Sequence, residues 1–448
     1  MIMEFTREPD CYPGESAGPG AGGLAAAPRA PSLHEQGIPP MRDTGLYQQI
    51  LGLVAPWQVV HVTMDKDAQT ITVRIELPPA TTLACPACSR EGCTIKDRQE
   101  RQWRHLDTCQ FQTLISAPLP RTDCPDCGVK TIAPPWAQKS SRFTLLFERF
   151  AIDALLEMSI QGACGLLKIS WDEADGIIER AVGRGLERRD LSKLRRIGID
   201  EKQVLSGHHY ITLVYDLDTS KVVWMGQDRT EETLDRFFES LPKEVLGQIE
   251  CITMDMWKPY RASCLKWIDG ADEKTVLDRF HLERHLSGAV NDVRKQEARE
   301  LKAAGSDLLD KIKYDWLYHP ENLPESRVER FLDRRQYDLK TGRAHAIKEN
   351  FRRMWNFVFP EGARGFFKGW YFWATHSRLE PIIKVAKMFN NHLERILTYF
   401  KLHATNSIAE GVNTKVEAIK RKAYGFRNVQ RFINAIYFHC GGLELYPL

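Results

Sequence analysis

The chain has 448 residues, 43% hydrophobic and 27% charged, with a formal net charge of +3. That length predicts two to four domains with substantial cores, and no segment approaches the ~18 uninterrupted apolar residues of a membrane helix. Eleven cysteines and no basic-then-apolar leader pattern point to a reducing compartment, a bacterial cytoplasm, rather than to a disulfide framework.

Residues 1–40 contain seven Pro, six Gly and six Ala. Such a segment cannot bury enough apolar surface to offset its ordering entropy, so a disordered tail is expected over 1–43, with Met41 a candidate start. A globular module is expected over 44–138. Trp57–Met64 and Gln69–Leu77 alternate as a hairpin around Asp65-Lys66-Asp67, and Arg101–Leu106 and Phe111–Ser116 read as further strands. Cys85-Pro86-Ala87-Cys88 and Cys124-Pro125-Asp126-Cys127-Gly128 are separated by 35 residues. Each pair makes a knuckle presenting two thiolates, and two knuckles close a tetrahedral structural Zn2+ site. Cys93, Cys109 and His105 are the nearby residues that could replace one ligand.

Over 139–192 the pattern becomes helical. Leu146, Phe147, Phe150, Ala151, Ala154, Leu155 and Met158 form a stripe, Gln161–Leu167 is a short helix, and Ser170 with Glu173 fits a capping box opening a helix at Trp171. Helix, short turn, helix is the arrangement whose second helix can enter a major groove. Trp171, Asp172 and Asp175 are its candidate readers, although acids suit phosphate poorly and helical hairpins that merely pack are common. Arg180, Arg184, Arg188, Arg189, Lys193, Arg195 and Arg196 follow, either tracking phosphates or forming a solvated face.

An α/β segment is expected over 193–304. Ile197 and Ile199 lead to Asp200, a turn surrounds Ser206–Gly207, and strands follow at Tyr210–Tyr215 and Lys221–Met225. A helix capped by Thr230, a strand Cys251–Met254 ending at Asp255, a helix, a strand Thr275–Leu277 and a long helix to about Ala304 complete it. Residues 305–400, with Trp316, Trp355, Trp370 and Trp373, read as a helical insertion. Its tryptophans are core residues or, less simply, platforms for flipped bases. Residues 401–448 resume the core, with Glu410 opening a basic helix. From Lys401 to Arg431 there are seven Lys or Arg against Glu410 and Glu417.

Asp200, Asp255 and Glu410 are the candidate catalytic and metal-ligating acids. Phosphodiester chemistry uses two divalent ions roughly 3.5–4 Å apart, held by hard anionic oxygens. Strand-end acids are also common turn formers, Glu410 could simply complete a capping box with Ser407, and Asp216 and Asp278 compete for the same roles.

Taken together, several motifs in order resemble the ISL-three family of bacterial insertion-sequence transposases. They are Trp57-Gln58-Val59, the two cysteine knuckles, Trp103-Arg104-His105-Leu106-Asp107, Ile199-Asp200-Glu201, Gly207-His208-His209-Tyr210, Thr253-Met254-Asp255-Met256, Asp278-Arg279-Phe280-His281, Glu410-Gly411-Val412-Asn413 and Arg421–Asn428. The resemblance implies a zinc-binding module, a helix-turn-helix and a ribonuclease-H-like core. It puts the acids on Asp200, Asp255 and Glu410, binding Mg2+ or Mn2+, and adds Asp278 and His281 in support. It implies double-stranded DNA, as terminal inverted repeats and target, as partner, and cutting two ends suggests a homodimer. Lys415, Lys420, Arg421, Lys422 and Arg427 are expected on phosphates, with Trp171, Arg180 and Arg184 at the helix-turn-helix. The readings from other classes are a DNA-binding regulator with an inactive nuclease fold and a repair or recombination nuclease. Glu201, a strand neighbour of Asp200, is expected to face away from it.

Overall fold

The computed structural model describes residues 42–447 apart from 80, 205–208, 405–406, 423–425 and 427, with backbone alone over 407–410. Residues 1–41 of the expected tail, the turn at 206–207 and Arg427 therefore lie outside the described residues, while Asp43, placed in the tail, already begins a helix to Ile50. The structure is a mixed α/β assembly with two five-stranded sheets.

The first sheet holds β1 (Gln58–Asp65), β2 (Thr70–Glu76), β3 (Thr94–Thr108), β4 (Phe111–Cys124) and β5 (Gly128–Thr131). The β1–β2 hairpin is where alternation put it. Strands β3 and β4 run well past the expected ends. The extended β4 includes Pro118 and Pro120, which cannot donate to a ladder. In the sheet, β2 pairs with β4 only over Gln112–Ser116 and β5 only over Arg121–Cys124, so both prolines fall in the gap between those partners. Trp57 and Trp103 stand edge-on to Trp136, at 5.0 and 5.4 Å between ring centres, and anchor this module's core.

Three helices follow at Leu145–Glu157, Ile160–Leu167 and Trp171–Arg188. Thr144 and Ser159 cap the first two, and Ser170 with Glu173 forms the predicted capping box on the third. The expected apolar stripe is rotated: Leu146 and Phe150 are exposed, while Ile152 and the carboxylate Glu148 are buried. Glu148 tolerates burial because Arg180 Nε donates to it at 2.8 Å and Arg184 Nη1 lies 3.2 Å away.

The second sheet has the order β10-β9-β6-β7-β8, from β6 (Arg196–Gln203), β7 (Tyr210–Asp216), β8 (Lys221–Gln227), β9 (Cys251–Met254) and β10 (Thr275–Leu277). β6, β7 and β8 form an antiparallel meander, and β9 and β10 add in parallel beside β6. One face packs Ile197, Ile199, Ile252 and Met254 against the Glu231–Glu239 and Lys258–Trp267 helices. The other packs Leu213, Tyr215 and Val222 against the three helices of 145–188 and the C-terminal helices Ser407–Lys422 and Val429–Cys440. The helical hairpin thus shares its core with the sheet.

A separate apolar cluster spans the Arg279–Ala303 helix and the helices up to residue 402. Trp316, Trp355 and Trp370 are buried there, the core fate of the two considered; Trp373 is exposed. No helix among the described residues is long and apolar enough to cross a membrane.

Glu148 supports a direct stability test. Glu148→Ala leaves a buried guanidinium uncompensated and is expected to cost about 3 kcal/mol. Asp172→Ala removes only an exposed pair with Arg431 and is expected to cost under about 1 kcal/mol. Denaturant midpoints of the two variants check the contrast.

Candidate active site and metal centres

β6 pairs in parallel with β9 through Arg196↔Cys251, Ile197↔Ile252 and Gly198↔Thr253. β9 pairs in parallel with β10 through Thr275↔Ile252 to Leu277↔Met254. Continued by one or two residues, these registers set Asp200, in the middle of β6 rather than at the strand end expected, beside Asp255 and Asp278, which directly follow the carboxyl ends of β9 and β10. Residues in register on parallel strands point to one face. Here it is the face opposite Ile199, Ile252 and Met254. Gly198 lies on that same face two residues before Asp200, where a Cβ would come within 2.6 Å of the Tyr215 ring. The close approach of β6 and the Tyr215 ring therefore requires glycine.

Asp200 is buried, with 7% of its surface exposed. Its Oδ1 accepts from the Glu201 amide at 2.9 Å and its Oδ2 from Asn413 Nδ2 at 2.7 Å. Tyr215 is fully buried nearby; burial, then the Asp200 charge, holds its hydroxyl protonated far above the ordinary range. His281 Nδ1 is 3.1 Å from Asp255 Oδ2, and its Nε2 is 3.6 Å from Asp278 Oδ2. Burial alone would lower the imidazole pKa. The hydrogen bond and charge of Asp255, with Asp278 and Asp200 behind, raise it instead to about 9. Burial likewise works to raise the Asp255 pKa, and His281 reverses that, leaving it below the usual carboxylate range. Asp278 also caps the Arg279–Ala303 helix, accepting from Phe280 N at 2.9 Å.

Glu201 faces the other side of β6, as alternation requires, yet its tip reaches the strand ends. It lines both cavities that meet there, about 650 Å³ on the Asp200 side and about 910 Å³ on the Asp255 side. Its pKa is raised by burial first and then by Asp200 and Asp255. Arg229, held between the rings of Tyr210 and Trp257 at 4.0 and 4.5 Å, places Nη1 3.7 Å from Glu201 Oε1. Among the described residues, Glu201 Oε2 and Asn413 Oδ1 are buried and find no hydrogen-bond partner. Orphaned oxygens beside a row of carboxylates fit a hard divalent cation. Glu410 begins the same helix as Asn413, but its side chain lies outside the described residues.

The second centre is at the far end of the first sheet. Cys85, Cys88, Cys124 and Cys127 bring their sulfurs within 4.8 Å of one another; among the described residues no other three or more metal-ligating groups gather so closely. Cys88 and Cys124 are 3.6 Å apart, near the roughly 3.8 Å edge of a tetrahedron with ~2.3 Å zinc–sulfur bonds. Burial raises the Cys124 thiol, but the backbone amides of Cys127 and Asp126 outweigh it and bring it to about 7, favouring thiolate.

A family model described as a transposase matches residues 197–436, more than half of the chain. The chain belongs to the ISL3 transposase family. A zinc-finger model of transposases IS204/IS1001/IS1096/IS1165 matches 82–127, and the helix-turn-helix model of transposase family ISL3 matches 132–182. The chain is similar to the transposase for insertion sequence element IS1557 of Mycobacterium tuberculosis, at 25% identity over 88% of this chain and 94% of that protein. It is also similar to the transposase for insertion sequence element IS1001 of Bordetella parapertussis, at 24% identity over 86% and 97%.

In this ISL3 transposase the cysteine set is the four-ligand site that two knuckles predict, and with the matched zinc finger it supports a structural Zn2+. The alternative ligands fall away. Cys93 is adjacent but its thiol donates to Arg90 O, Cys109 turns the β3–β4 hairpin roughly 40 Å along β4 from Cys124, and His105 is bound to Thr144 Oγ1 at 2.8 Å.

Among the expected DNA contacts, Arg184 and Arg180 are corrected. Arg184 is buried against Glu148 and donates to Leu445 O, and Arg180 serves Glu148 too. Trp171 is half-buried beneath the Arg431 guanidinium, 4.9 Å above the ring, and Arg431 also pairs with Asp172 and Asp175. Lys415, Arg421 and Lys422 are exposed, and Arg421 lines the cavity beside Asp200. Asn413 and Arg229 were not singled out by the sequence reading. The signal for Asn413 was its place in the Glu410-Gly411-Val412-Asn413 motif, one turn after Glu410.

Structural zinc binding is worth about 10–16 kcal/mol in small domains, so the tip of this sheet depends on it. Chelation or Cys88→Ser is expected to open new protease sites within 82–127 while the second sheet stays resistant. An unchanged digestion pattern after stoichiometric zinc release would show that the ion is dispensable.

Proposed function

We propose that this transposase cuts and joins DNA at a ribonuclease-H-like core. The support is the aligned row of Asp200, Asp255 and Asp278 on a sheet of order β10-β9-β6-β7-β8, with orphaned oxygens of Glu201 and Asn413 beside it. Asp200, Asp255 and Glu410 are assigned as ligands of two divalent ions, Mg2+ or Mn2+. Those ions supply the Lewis acidity for phosphodiester hydrolysis and strand transfer.

The protein's own groups do the rest. Asn413 fixes the Asp200 carboxylate by donating to Oδ2, leaving Oδ1 turned toward its own strand's amide. His281 holds Asp255 in its ionised form, and Asp278 orients His281 from the other ring nitrogen. Arg229 restrains Glu201 at the junction of the two cavities. Lys415, Lys420, Arg421 and Lys422, on the helix that starts beside Glu410, hold phosphates at the mouth.

The units are assigned as a zinc module over 44–138, a helix-turn-helix over 139–192, and a core over 193–304 and 401–448 interrupted by helices at 305–400. The DNA is double-stranded: terminal inverted repeats for recognition, and target. A homodimer engages the two ends.

Asp200→Asn is expected to abolish magnesium-dependent nicking of DNA carrying the element's ends while leaving end binding nearly intact; retained nicking would remove Asp200 from the mechanism. Asn413→Ala is expected to slow nicking roughly 10–100-fold, the usual effect of losing a group that orients a metal ligand. Specific binding with no nicking by the unaltered protein would favour a regulator, and cutting of branched DNA regardless of end sequence would favour a repair nuclease.

A further inference from the structure

The cavity on the Asp255 side is larger than the acids require. It continues away from them as a cleft between the Arg279–Ala303 and Glu380–Asn391 helices. Arg284, Gly288, Asp292, Lys295 and Arg299 line it at spacings of three and four residues, one face of a single helix. Lys384 faces them from the second helix.

The charges on this wall are unequal in kind. Asp292 is neutralised by Lys295 at 3.2 Å, and Glu380 sits in the first turn of its helix, where the helix dipole accommodates an acid. Arg284, Arg299 and Lys384 have no carboxylate within ion-pair distance among the described residues, whereas Arg279 pairs with Glu283, Lys340 with Glu300 and Arg364 with Glu394. Gly288 lies between these cations, in mid-helix, where glycine weakens a helix by roughly 1 kcal/mol relative to alanine. A Cβ there would meet nothing within 4 Å. Neither packing nor backbone geometry explains the residue, whereas a backbone passing close over a smooth floor does.

We propose that this cleft is a sequence-independent path for a phosphodiester strand, gripped by Arg284, Arg299 and Lys384 as the DNA leaves the carboxylate row. The proposal rests on the phosphodiester-cutting reading for the direction of the path, but not for the binding itself. From Arg284 to Arg299 the helix rises about 22 Å at ~1.5 Å per residue, the length of roughly six base pairs at ~3.4 Å each. No base-reading groups are needed, because cations on a phosphate backbone position DNA without reading it. The three groups that line both cavities, Glu201, His281 and Arg284, then mark where the gripped strand meets the acids.

The test uses the full chain with its zinc, in an Asp200→Asn background, without magnesium, so that no cutting intervenes. The probe is a fluorescein-labelled DNA duplex of arbitrary sequence, and its affinity is followed by anisotropy as salt is raised. Arg299→Ala with Lys384→Ala is expected to reduce the slope of log affinity against log salt by about 1.8, that is ~0.9 for each lost phosphate contact. Lys368→Ala with Lys387→Ala, equal in charge but outside the cleft, is expected to leave the slope unchanged. Gly288→Phe should weaken binding without altering net charge, and Gly288→Ala should not. All these positions are exposed, and unchanged melting temperatures confirm folding. An unchanged slope in the cleft pair, or an equal fall in both pairs, overturns the proposal. Failure of the unaltered protein to nick DNA with magnesium would instead overturn the cutting reading, leaving the salt slope to judge the cleft.

Discussion

Like charges held in register repel, and this constraint governs the second sheet. Parallel pairing of β6, β9 and β10 brings three carboxylates to one edge, where no turn separates them. Two acids sharing a site resist joint ionisation unless positive charge stands between them. His281 supplies some of it to Asp255 and Asp278, while Asn413 supplies only a dipole to Asp200. The sheet can bear the strain because its two apolar faces are fully covered, so the strand ends cannot splay apart.

Much of this was legible in the sequence. The order of strands and helices from Ile197 to Ala303 followed from β-branched runs, a Thr cap and acids at strand ends, and the short strands Cys251–Met254 and Thr275–Leu277 fell where apolar runs ended at Asp255 and Asp278. What periodicity could not supply was pairing. Nothing in the chain announces that Pro118 and Pro120 would find a gap between two partner strands, or that β2 would run parallel to β4.

The cations misled for a related reason. A string of arginines after Trp171 looks like a phosphate-binding face, but charge in a sequence carries no direction. Glu148, which the apolar stripe of its helix did not include, is the buried acid that claims Arg180 and Arg184. Arg188 and Arg184 then hold the backbone carbonyls of Tyr446 and Leu445, so the same cations tether the chain's far end. The roles of Asn413 and Arg229 were not legible because they come from a neighbour more than two hundred residues away and from two aromatic rings, respectively.

The shared core between the helix-turn-helix and the sheet has a mechanical meaning. Ala174, Ile177 and Ala181 of the Trp171–Arg188 helix belong to the same apolar cluster as Leu213 and Tyr215, so the helix-turn-helix and the second sheet are packed as one piece. A tool built this way behaves like a fixed-jaw caliper rather than a tethered blade. On the proposed function its span is set in the protein, and any DNA it serves must carry the recognised letters at one constant interval from the bond that breaks.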